Sequence, residues 1–503
     1  MIALREPLIL AAAAAAVYGA GLAAPFHLDD YALLSDRAVT ASDGWRQVWA
    51  PLRTRPLTYF TFWLNYRLAG SSPASYHAVN LGLHALASAL TWSALRRLIP
   101  GQAALFAALL FAVHPIQSEA VNYVFARSTL LMSVFCLAGL RDWVRGRHWR
   151  TAAWFLAALL AKEECAAFPA FLLLLFVSIS RSAAELRPIA AMAVFAVAAG
   201  VRVVLATAVE PGAEAGVHAA VSPAQYFASQ GVVIWRYLRL LVLPWGFTVD
   251  PDVRIPPPAI AAAAWMLLAA SAAVAWRRFD RAREGFWWIA GLVLLLPSSS
   301  VFPASDLSAD RRMYLPMVAF SALAGLAARR VRARYAVGAV ALLAVLGAAR
   351  TQVWRSERAL WEEASRRAPR KLRPKLQLAR LLPPPEALRV LEEARRLAPE
   401  DPRVPSAMGR AYLMLGDAGG ALREFGRALA LAPQDARAYN NRGVALMALG
   451  QLEAARRDFQ TALTLDPCLF DAHFNLVRQG RRPPPSDRCP FSEEQRRQLQ
   501  AAP

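Results

Sequence analysis

Two adjacent carboxylates, Asp29 and Asp30, lie in the segment PFHLDDYALLSD, directly after the first apolar stretch of the chain. A carboxylate beside a membrane costs desolvation energy unless a cation or a substrate compensates its charge. One interpretation is a general base at the membrane surface, which would accept a proton from an attacking hydroxyl group. The alternative interpretation is a solvated aspartate pair at the end of a helix.

A second polar cluster follows the apolar segment 102–114, in the sequence HPIQSEAVNYVFAR. Because a membrane span needs ~20 apolar residues, this segment is short, and His114, Glu119 and Arg127 are expected to reach into a cavity below the headgroups. His114 and Glu119 as metal ligands are the weaker alternative, since no third or fourth ligand has a recognisable spacing. Arg127 is interpreted as a partner for a carboxylate or a phosphate.

A third cluster, with Lys162 and Glu163 in the sequence AKEE, follows another short apolar segment, 151–161. Ionisable side chains at membrane depth cost about 2.5 to 3.5 kcal/mol each, so they usually face a partner or a wet cavity. An internal ion pair is therefore the alternative to a role in a substrate site.

The last cluster is SDLSADRRMYLP, which contains Arg311 and Tyr314 and precedes an apolar segment. The predicted topology puts it outside the cytoplasm, where arginine is disfavoured, so a specific role is expected. Binding of an anionic lipid phosphate would supply that role.

These clusters must be positioned by apolar helices. The sequence predicts an all-α polytopic membrane protein, because 56% of its residues are hydrophobic and short arginine clusters interrupt the apolar segments. Residues 226–243 either span the membrane or lie at its interface. If they do not span it, the short arginine clusters, apart from the one in DRRMYLP, lie on the same side of the membrane as the N-terminus. The first segment is either a span or a cleaved signal peptide. The eleven predicted spans are 8–24, 77–95, 102–114, 124–140, 151–161, 165–180, 188–206, 256–276, 286–302, 313–328 and 335–350.

The composition also excludes several classes of protein. The formal net charge is +21, but the arginines are dispersed between apolar segments, which fits membrane topology better than a nucleic-acid surface. Four cysteines are too few for a disulfide scaffold or a multi-cysteine zinc module. We hypothesise a disulfide between Cys468 and Cys489, and expect Cys136 and Cys165 to be packing residues.

From residue 351 onward the sequence contains a 34-residue repeat. Pro399, Pro433 and Pro467 keep this spacing, as do glycine, alanine and phenylalanine positions between them. This is the tetratricopeptide period, in which two helices form each repeat. The predicted domains are a membrane domain, 1–350, with an external loop at 25–76; a repeat domain, 351–480, with clear repeats at 399–432 and 433–466; and a C-terminal tail, 481–503.

Taken together, the motifs resemble the transmembrane and tetratricopeptide-repeat O-mannosyltransferases, over nearly the whole chain. The motifs that carry the resemblance are HLDDYALL, RPLTYFTFWLNYRL, YHAVNLGLHA, HPIQSEAVNYVFAR, the AKE at 161–163, and DRRMYLP. That family is similar to the wider GT-C glycosyltransferases, which are multispanning enzymes that use a polyprenyl-phosphate sugar donor.

The resemblance implies an inverting transfer of a sugar, expected to be mannose, to protein hydroxyl groups outside the cytoplasm. It assigns catalysis to Asp29 or Asp30 and the carrier phosphate to Arg311, with Arg127 or Lys162 assisting. It implies that the enzyme needs no metal or other cofactor and that the repeat domain binds the acceptor polypeptide. We expect a protein of the bacterial inner membrane, with the repeat domain in the periplasm. No nucleic-acid partner is expected. The remaining predicted substrate-site residues are His114, Glu119, Glu163 and Tyr314.

Three other functions stay open from the sequence. An envelope glycan transferase or ligase of similar architecture would use the same aspartates. A non-catalytic membrane scaffold would need only the repeats. A transporter is disfavoured, because the acidic residues cluster at one face rather than at the middle of the membrane.

Overall fold

The computed structural model describes residues 5–50, 53–209, 221–299, 302–304, 306–481, 489 and 491–501. The chain divides into two compact units, Met1–Leu360 and Trp361–Pro503. The described residues form helices and connecting turns without a β-strand, which confirms the all-α prediction.

The first unit is a bundle of apolar helices, and each predicted span overlaps at least one of them. Residues 300 and 301 of the predicted span 286–302 lie outside the described residues. Among the described residues, seven helices are long and apolar enough to cross a membrane, or eight if a bent pair counts as one span. The helix Pro223–Val242, which contains Arg236 and Arg239, is not among them. The eleven-span count therefore stays a prediction. The main helices are Arg5–Tyr18, Pro73–Leu95, Gly101–Val113, Arg127–Trp143, His148–Ala161, Phe168–Leu175, Leu186–Val209, Pro223–Val242, Pro258–Trp276, Glu284–Leu295, Met317–Ala328 and Ala333–Trp354.

The two short apolar segments each end at a break in the helix. After Gly101–Val113 the chain bends by 48° into Pro115–Asn122, because Pro115 disfavours helical backbone at His114, which is extended (φ −65°, ψ 131°). Lys162 is likewise extended (φ −163°, ψ 135°) after His148–Ala161. Both breaks place polar residues inside a bundle that is otherwise apolar.

The predicted external loop, 25–76, is largely helical. Its longest helix, Pro56–Ala69, begins with proline at the first helical position, and it follows Arg55, which has a left-handed backbone (φ +57°). Aromatic residues in this loop are of the type that predicts helices at a membrane interface, and helices are present there; these residues are Trp45, Trp49, Tyr59, Phe60 and Trp63. The shorter helices of the loop are Asp30–Ser35, Arg37–Thr40 and Gly44–Gln47.

The second unit is an array of helix pairs with the predicted 34-residue period. A Cβ atom on Gly409 would lie 2.7 Å from the ring of Phe425, and one on Gly443 would lie 2.6 Å from Phe459. The repeated glycines therefore permit close contact within each pair. The chain is also helical on both sides of the two clear repeats: residues 371–398, which the sequence predicts to be a degenerate repeat, and 471–480, predicted to be a closing half-repeat, each contain helix. From residue 372 the helices are Leu372–Leu381, Pro384–Leu397, Arg403–Met414, Ala418–Leu431, Ala436–Ala448, Leu452–Leu465, Phe470–Arg478 and Glu493–Ala501.

The cysteines follow the sequence-based expectation. Cys468 and Cys489 form a disulfide whose Cα atoms are 5.3 Å apart, so the hypothesised pairing is confirmed. Cys136 and Cys165 are buried and free, as expected for packing residues.

Candidate active site

A cavity of about 480 Å³ collects charged side chains from distant parts of the first unit. We call it the charged cavity. It contains one residue of the aspartate pair, both residues of the Lys162–Glu163 cluster, and the arginines of the DRRMYLP motif. Its polar lining residues are Asp29, Arg55, Ser128, Lys162, Glu163, Glu164, Tyr226, Ser298, Arg311 and Arg312.

Asp29 is the member of the aspartate pair that faces the charged cavity. Its carboxylate Oδ2 accepts a hydrogen bond of 2.7 Å from the Tyr123 hydroxyl. The Tyr123 ring also lies beside Arg311, whose Cζ atom is 6.0 Å from the ring centroid. Asp29 is exposed, so one carboxylate oxygen has a fixed partner while the side chain stays accessible.

Asp30 points away from the cavity and is fully buried. Its Oδ1 accepts the Phe125 N–H (2.7 Å) and its Oδ2 accepts the His27 N–H (2.9 Å). Burial raises the pKa of Asp30 to about 7, although these backbone donors favour the charged form, and the nearby Asp29 charge raises it further. The two aspartates therefore have different environments: Asp29 lines the cavity, whereas the Asp30 carboxylate accepts hydrogen bonds from backbone N–H groups.

The contacts of Asp30 hold a strained turn in place. Leu28 has a left-handed backbone (φ +51°), which costs about 1–2 kcal/mol for a residue with a side chain. The Asp30 N–H donates to the His27 carbonyl (2.9 Å), and the Asp30 carboxylate accepts the His27 N–H in return. This closed turn fixes where the Asp29 side chain emerges, so Asp30 is a positioning residue.

The Asp30→Asn variant is expected to lose thermal stability, because an amide cannot accept both backbone N–H groups and one buried donor is left unpaired, at about 1–3 kcal/mol. The folded-state pKa of about 7 lies well above the usual value for an aspartate. Asp30 therefore contributes stability that is lost as the pH rises through that window. The wild-type Tm should fall more between pH 5 and 8 than the variant Tm, as measured by scanning fluorimetry. Equal slopes in the two proteins would refute this assignment.

Three of the four cavity cations have a carboxylate partner. Arg55 donates to both oxygens of Glu163, at 3.1 and 2.5 Å, and the Lys162 ammonium lies 2.9 Å from Glu164. Arg311 forms an ion pair with Glu119, which is buried and also accepts the Arg311 backbone N–H (3.1 Å).

Arg312 is different. Its guanidinium donates to the carbonyls of Leu307 (3.1 Å) and Asp306 (2.7 Å). Within the described ranges no carboxylate oxygen lies within 4 Å of it. These carbonyls orient the group without neutralising it, and the nearby Glu164 carboxylate is in direct contact with Lys162 instead, so Arg312 is the cavity cation without a direct carboxylate partner among the described residues.

Arg127 does not reach the charged cavity, contrary to the role predicted for it. Its buried guanidinium donates to the side-chain oxygens of Asn80 (3.0 Å) and Asn65 (2.8 Å) and to the Tyr76 carbonyl (3.1 Å). It also lies over the Phe62 ring, with Cζ 4.4 Å from the centroid. Neutral oxygens satisfy Arg127, and it ties the external loop to the bundle instead of binding a phosphate.

Two further predicted residues also lie elsewhere. His114 accepts the Ile116 N–H at Nδ1 (3.1 Å) and lines a separate, apolar groove that also contains Trp235. The Tyr314 hydroxyl bonds His84 Nδ1 (2.7 Å) in the buried core. Both positions follow from the break at Pro115 and the burial of the YLP segment.

The remaining predicted residues keep a place at or beside the cavity. Lys162 and Glu163 line it, and Glu119 orients Arg311 from behind. The part of the chain that the structure describes contains no group of three or more metal-ligand side chains. The expectation that no metal takes part stays untested.

No functional role was predicted from the sequence for Arg55 or Tyr123, and Glu164 and Arg312 were identified only as members of the AKEE and DRRMYLP clusters. Each lies within a motif already singled out, so proximity to the motif was the available signal. Glu119 pairs with Arg311 and not with the neighbouring Arg312. Because Glu119 is 192 residues away from Arg311 in the sequence, this difference is not visible in the motif itself.

Comparisons with known proteins bear on both units. Two family models match the second unit: "Tetratricopeptide repeat" at residues 436–467 and "TPR repeat" at residues 409–450. The repeats predicted from the 34-residue period are thus confirmed.

Curated relatives match part of the chain. Protein O-mannosyl-transferase TMTC3 of Mus musculus is 34% identical over 157 residues, which are 28% of this chain and 17% of that protein. Protein O-mannosyl-transferase F38B6.6 of Caenorhabditis elegans is 41% identical over 98 residues, or 19% and 14%. The chain is similar to the TMTC protein O-mannosyl-transferases. The resemblance inferred from the motifs is confirmed, and the chain spans less than a fifth of the length of these two relatives.

Among solved structures, ArnT from Cupriavidus metallidurans bound to undecaprenyl phosphate is similar at 19% identity. The match covers 86% of this chain and 80% of that one, with a TM-score of 0.38. That value is too low to support an argument about this protein. The apolar helices and the TMTC-like sequence show a multi-pass membrane protein with a repeat unit.

Proposed function

We propose that the protein is a membrane glycosyltransferase that moves a sugar from a polyprenyl-phosphate carrier to hydroxyl groups of proteins outside the cytoplasm. One observation carries the proposal: a carboxylate, Asp29, and the cations Arg311, Arg312 and Lys162 line the same cavity. The similarity to protein O-mannosyl-transferases favours mannose as the sugar.

The proposed reaction is a single displacement. The acceptor hydroxyl oxygen bonds to the anomeric carbon, and its proton passes to the Asp29 carboxylate. The bond between the anomeric carbon and the carrier-phosphate oxygen breaks, and its electron pair stays on the phosphate. Because the nucleophile enters opposite the leaving group, the anomeric configuration inverts.

The cations stabilise the charge that develops on the departing phosphate. Arg312 is the main candidate, since carbonyl oxygens accept its hydrogen bonds and no carboxylate within the described ranges is in direct contact with it. Arg311 is oriented by Glu119 and Lys162 by Glu164, so both are fixed before the donor arrives. No step in this scheme requires a metal ion.

The repeat unit is proposed to hold the acceptor polypeptide, which is the usual use of the concave surface of a helical-repeat array. Its disulfide, Cys468–Cys489, favours an oxidising compartment. We therefore place this unit on the extracytoplasmic side, in a bacterial inner membrane.

The function is tested with the purified full-length protein in proteoliposomes. Labelled mannose is supplied on a polyprenyl phosphate or on a nucleotide, together with an exported protein and an envelope polysaccharide as acceptors. We expect label on Ser and Thr of the protein, and only from the lipid donor. Label on the polysaccharide alone would instead indicate a glycan ligase, and label on neither would contradict both proposals.

A further inference from the structure

A second charged pocket lies at the other end of the helix Met317–Ala328. This helix begins next to the DRRMYLP segment of the charged cavity and ends before Arg329, about 18 Å away for 12 residues. The second pocket has a volume of about 440 Å³. We call it the basic pocket, and its arginines are Arg278, Arg281, Arg283, Arg329 and Arg330.

The basic pocket has a large excess of positive charge. Glu284 is the one carboxylate among the described lining residues, and it forms an ion pair with Arg330. Across the described ranges, no carboxylate oxygen lies within 4 Å of the other four arginines. Like charges that line one pocket repel one another, so an anion bound among them is favoured.

The backbone turn next to these arginines has strained dihedral angles and is held by hydrogen bonds. Arg281 and Ala282 are consecutive non-glycine residues in the left-handed region, with φ of +54° and +50°. The turn is held by the buried Ser178, whose hydroxyl donates to the Phe279 carbonyl (2.8 Å) and accepts the Ala282 N–H (3.0 Å). Strain that is held in this way is typical of functional sites. It distinguishes the turn from a loop that merely follows the positive-inside rule.

Two helix N-termini also open at the basic pocket. The helices Glu284–Leu295 and Gly101–Val113 begin after Arg283 and Pro100, both of which line the pocket, and neither N-cap side chain accepts a backbone hydrogen bond. The Gly285 N–H in the first turn of Glu284–Leu295 already donates to the Arg278 carbonyl (3.1 Å), so the helix dipole is what these ends add to the attraction for an anion.

The rim of the pocket indicates the form of that anion. Leu98, Ile99 and Leu326 line it beside the arginines. Inorganic phosphate has no apolar surface that could pack against these side chains, whereas a phospholipid carries its phosphate next to its acyl chains. Basic pockets between membrane helices on the cytoplasmic side bind anionic headgroups in this way.

We propose that the basic pocket binds a phosphate anion, presented by the headgroup of an anionic phospholipid. The site is separate from the charged cavity and does not depend on the proposed transferase activity. It would tie the inner ends of three helices to the lipid surface.

The test is native mass spectrometry of the full-length protein in detergent, titrated with phosphatidylglycerol, phosphatidylcholine or inorganic phosphate. The pocket variant is Arg278→Gln/Arg281→Gln/Arg329→Gln, which leaves the Arg330–Glu284 pair intact. The matched control, Arg277→Gln/Arg332→Gln/Arg334→Gln, removes the same charge from exposed arginines that do not line the pocket.

We expect wild type and control to bind phosphatidylglycerol at least about tenfold more tightly than phosphatidylcholine, and the pocket variant to lose that preference. Binding of inorganic phosphate with the same arginine dependence and no gain from the lipid would support the anion site and overturn the lipid assignment. Equal phosphatidylglycerol and phosphate binding by wild type and pocket variant would overturn the proposal.

Discussion

The Asp29→Asn variant is expected to lower kcat for sugar transfer by ~10²–10⁴-fold, the usual contribution of a general base. Asparagine has nearly the same shape, and its Oδ1 can still accept the Tyr123 hydroxyl, so the cavity should keep its form. The donor KM should change little, because Asp29 is assigned to the acceptor proton. Initial rates in proteoliposomes measure both constants.

The control for this prediction is Asp43→Asn, which removes an exposed carboxylate from the same loop. It should behave as wild type. The Asp30→Asn variant should lose stability, and any residual activity should keep the wild-type dependence on Asp29. Equal kcat for Asp29→Asn and Asp43→Asn would remove the proposed base.

The Arg312→Gln variant is expected to show the second large effect, a ~10²–10³-fold fall in kcat, comparable to the loss of one donor to a developing oxyanion. Glutamine can still donate to the Leu307 or Asp306 carbonyl, but it carries no charge for the phosphate. Arg312→Lys should recover part of the rate, since it restores a point charge without the planar fork. Single-turnover transfer rates make the measurement.

Arg312 is a cleaner choice for this test than Arg311. Removing Arg311 would strand the buried Glu119 carboxylate, which typically costs about 3–5 kcal/mol and obscures catalysis. Arg254→Gln, at a side chain that is 61% exposed, is the matched control. If Arg312→Gln transferred sugar at the wild-type rate, Arg312 would not stabilise the departing phosphate, and other cations would have to do so.

The fold was largely predictable from local patterns. Apolar segments of membrane length mark helices wherever they occur, and a 34-residue period identifies the repeats without knowledge of tertiary contacts. The presence of Asp29, Lys162 and Arg311 at one cavity was also predictable, because ionisable residues at or near membrane depth usually face a partner or a wet cavity.

The rest of the site depended on contacts between distant segments. Arg127 has the same charge as Arg311, but two asparagines and a carbonyl from other helices satisfy it in the interior. Likewise, Asp29 and Asp30 are indistinguishable in sequence, and only the backbone donors of His27 and Phe125 separate their roles. Such hydrogen-bond partners come from segments that are distant in the sequence, so they could not be predicted from local patterns in a single sequence.

The central claim is that one cavity holds both the proton acceptor and the phosphate-binding cations. An electron cryomicroscopy structure of the full-length protein with a non-hydrolysable polyprenyl-phosphate mannose tests it most directly. The account predicts phosphate oxygens within about 4 Å of Arg311 or Arg312, and an Asp29 carboxylate about 2.6–3.2 Å from a water or hydroxyl facing the anomeric carbon. A donor phosphate in the apolar groove or the basic pocket, with the charged cavity empty, would contradict it.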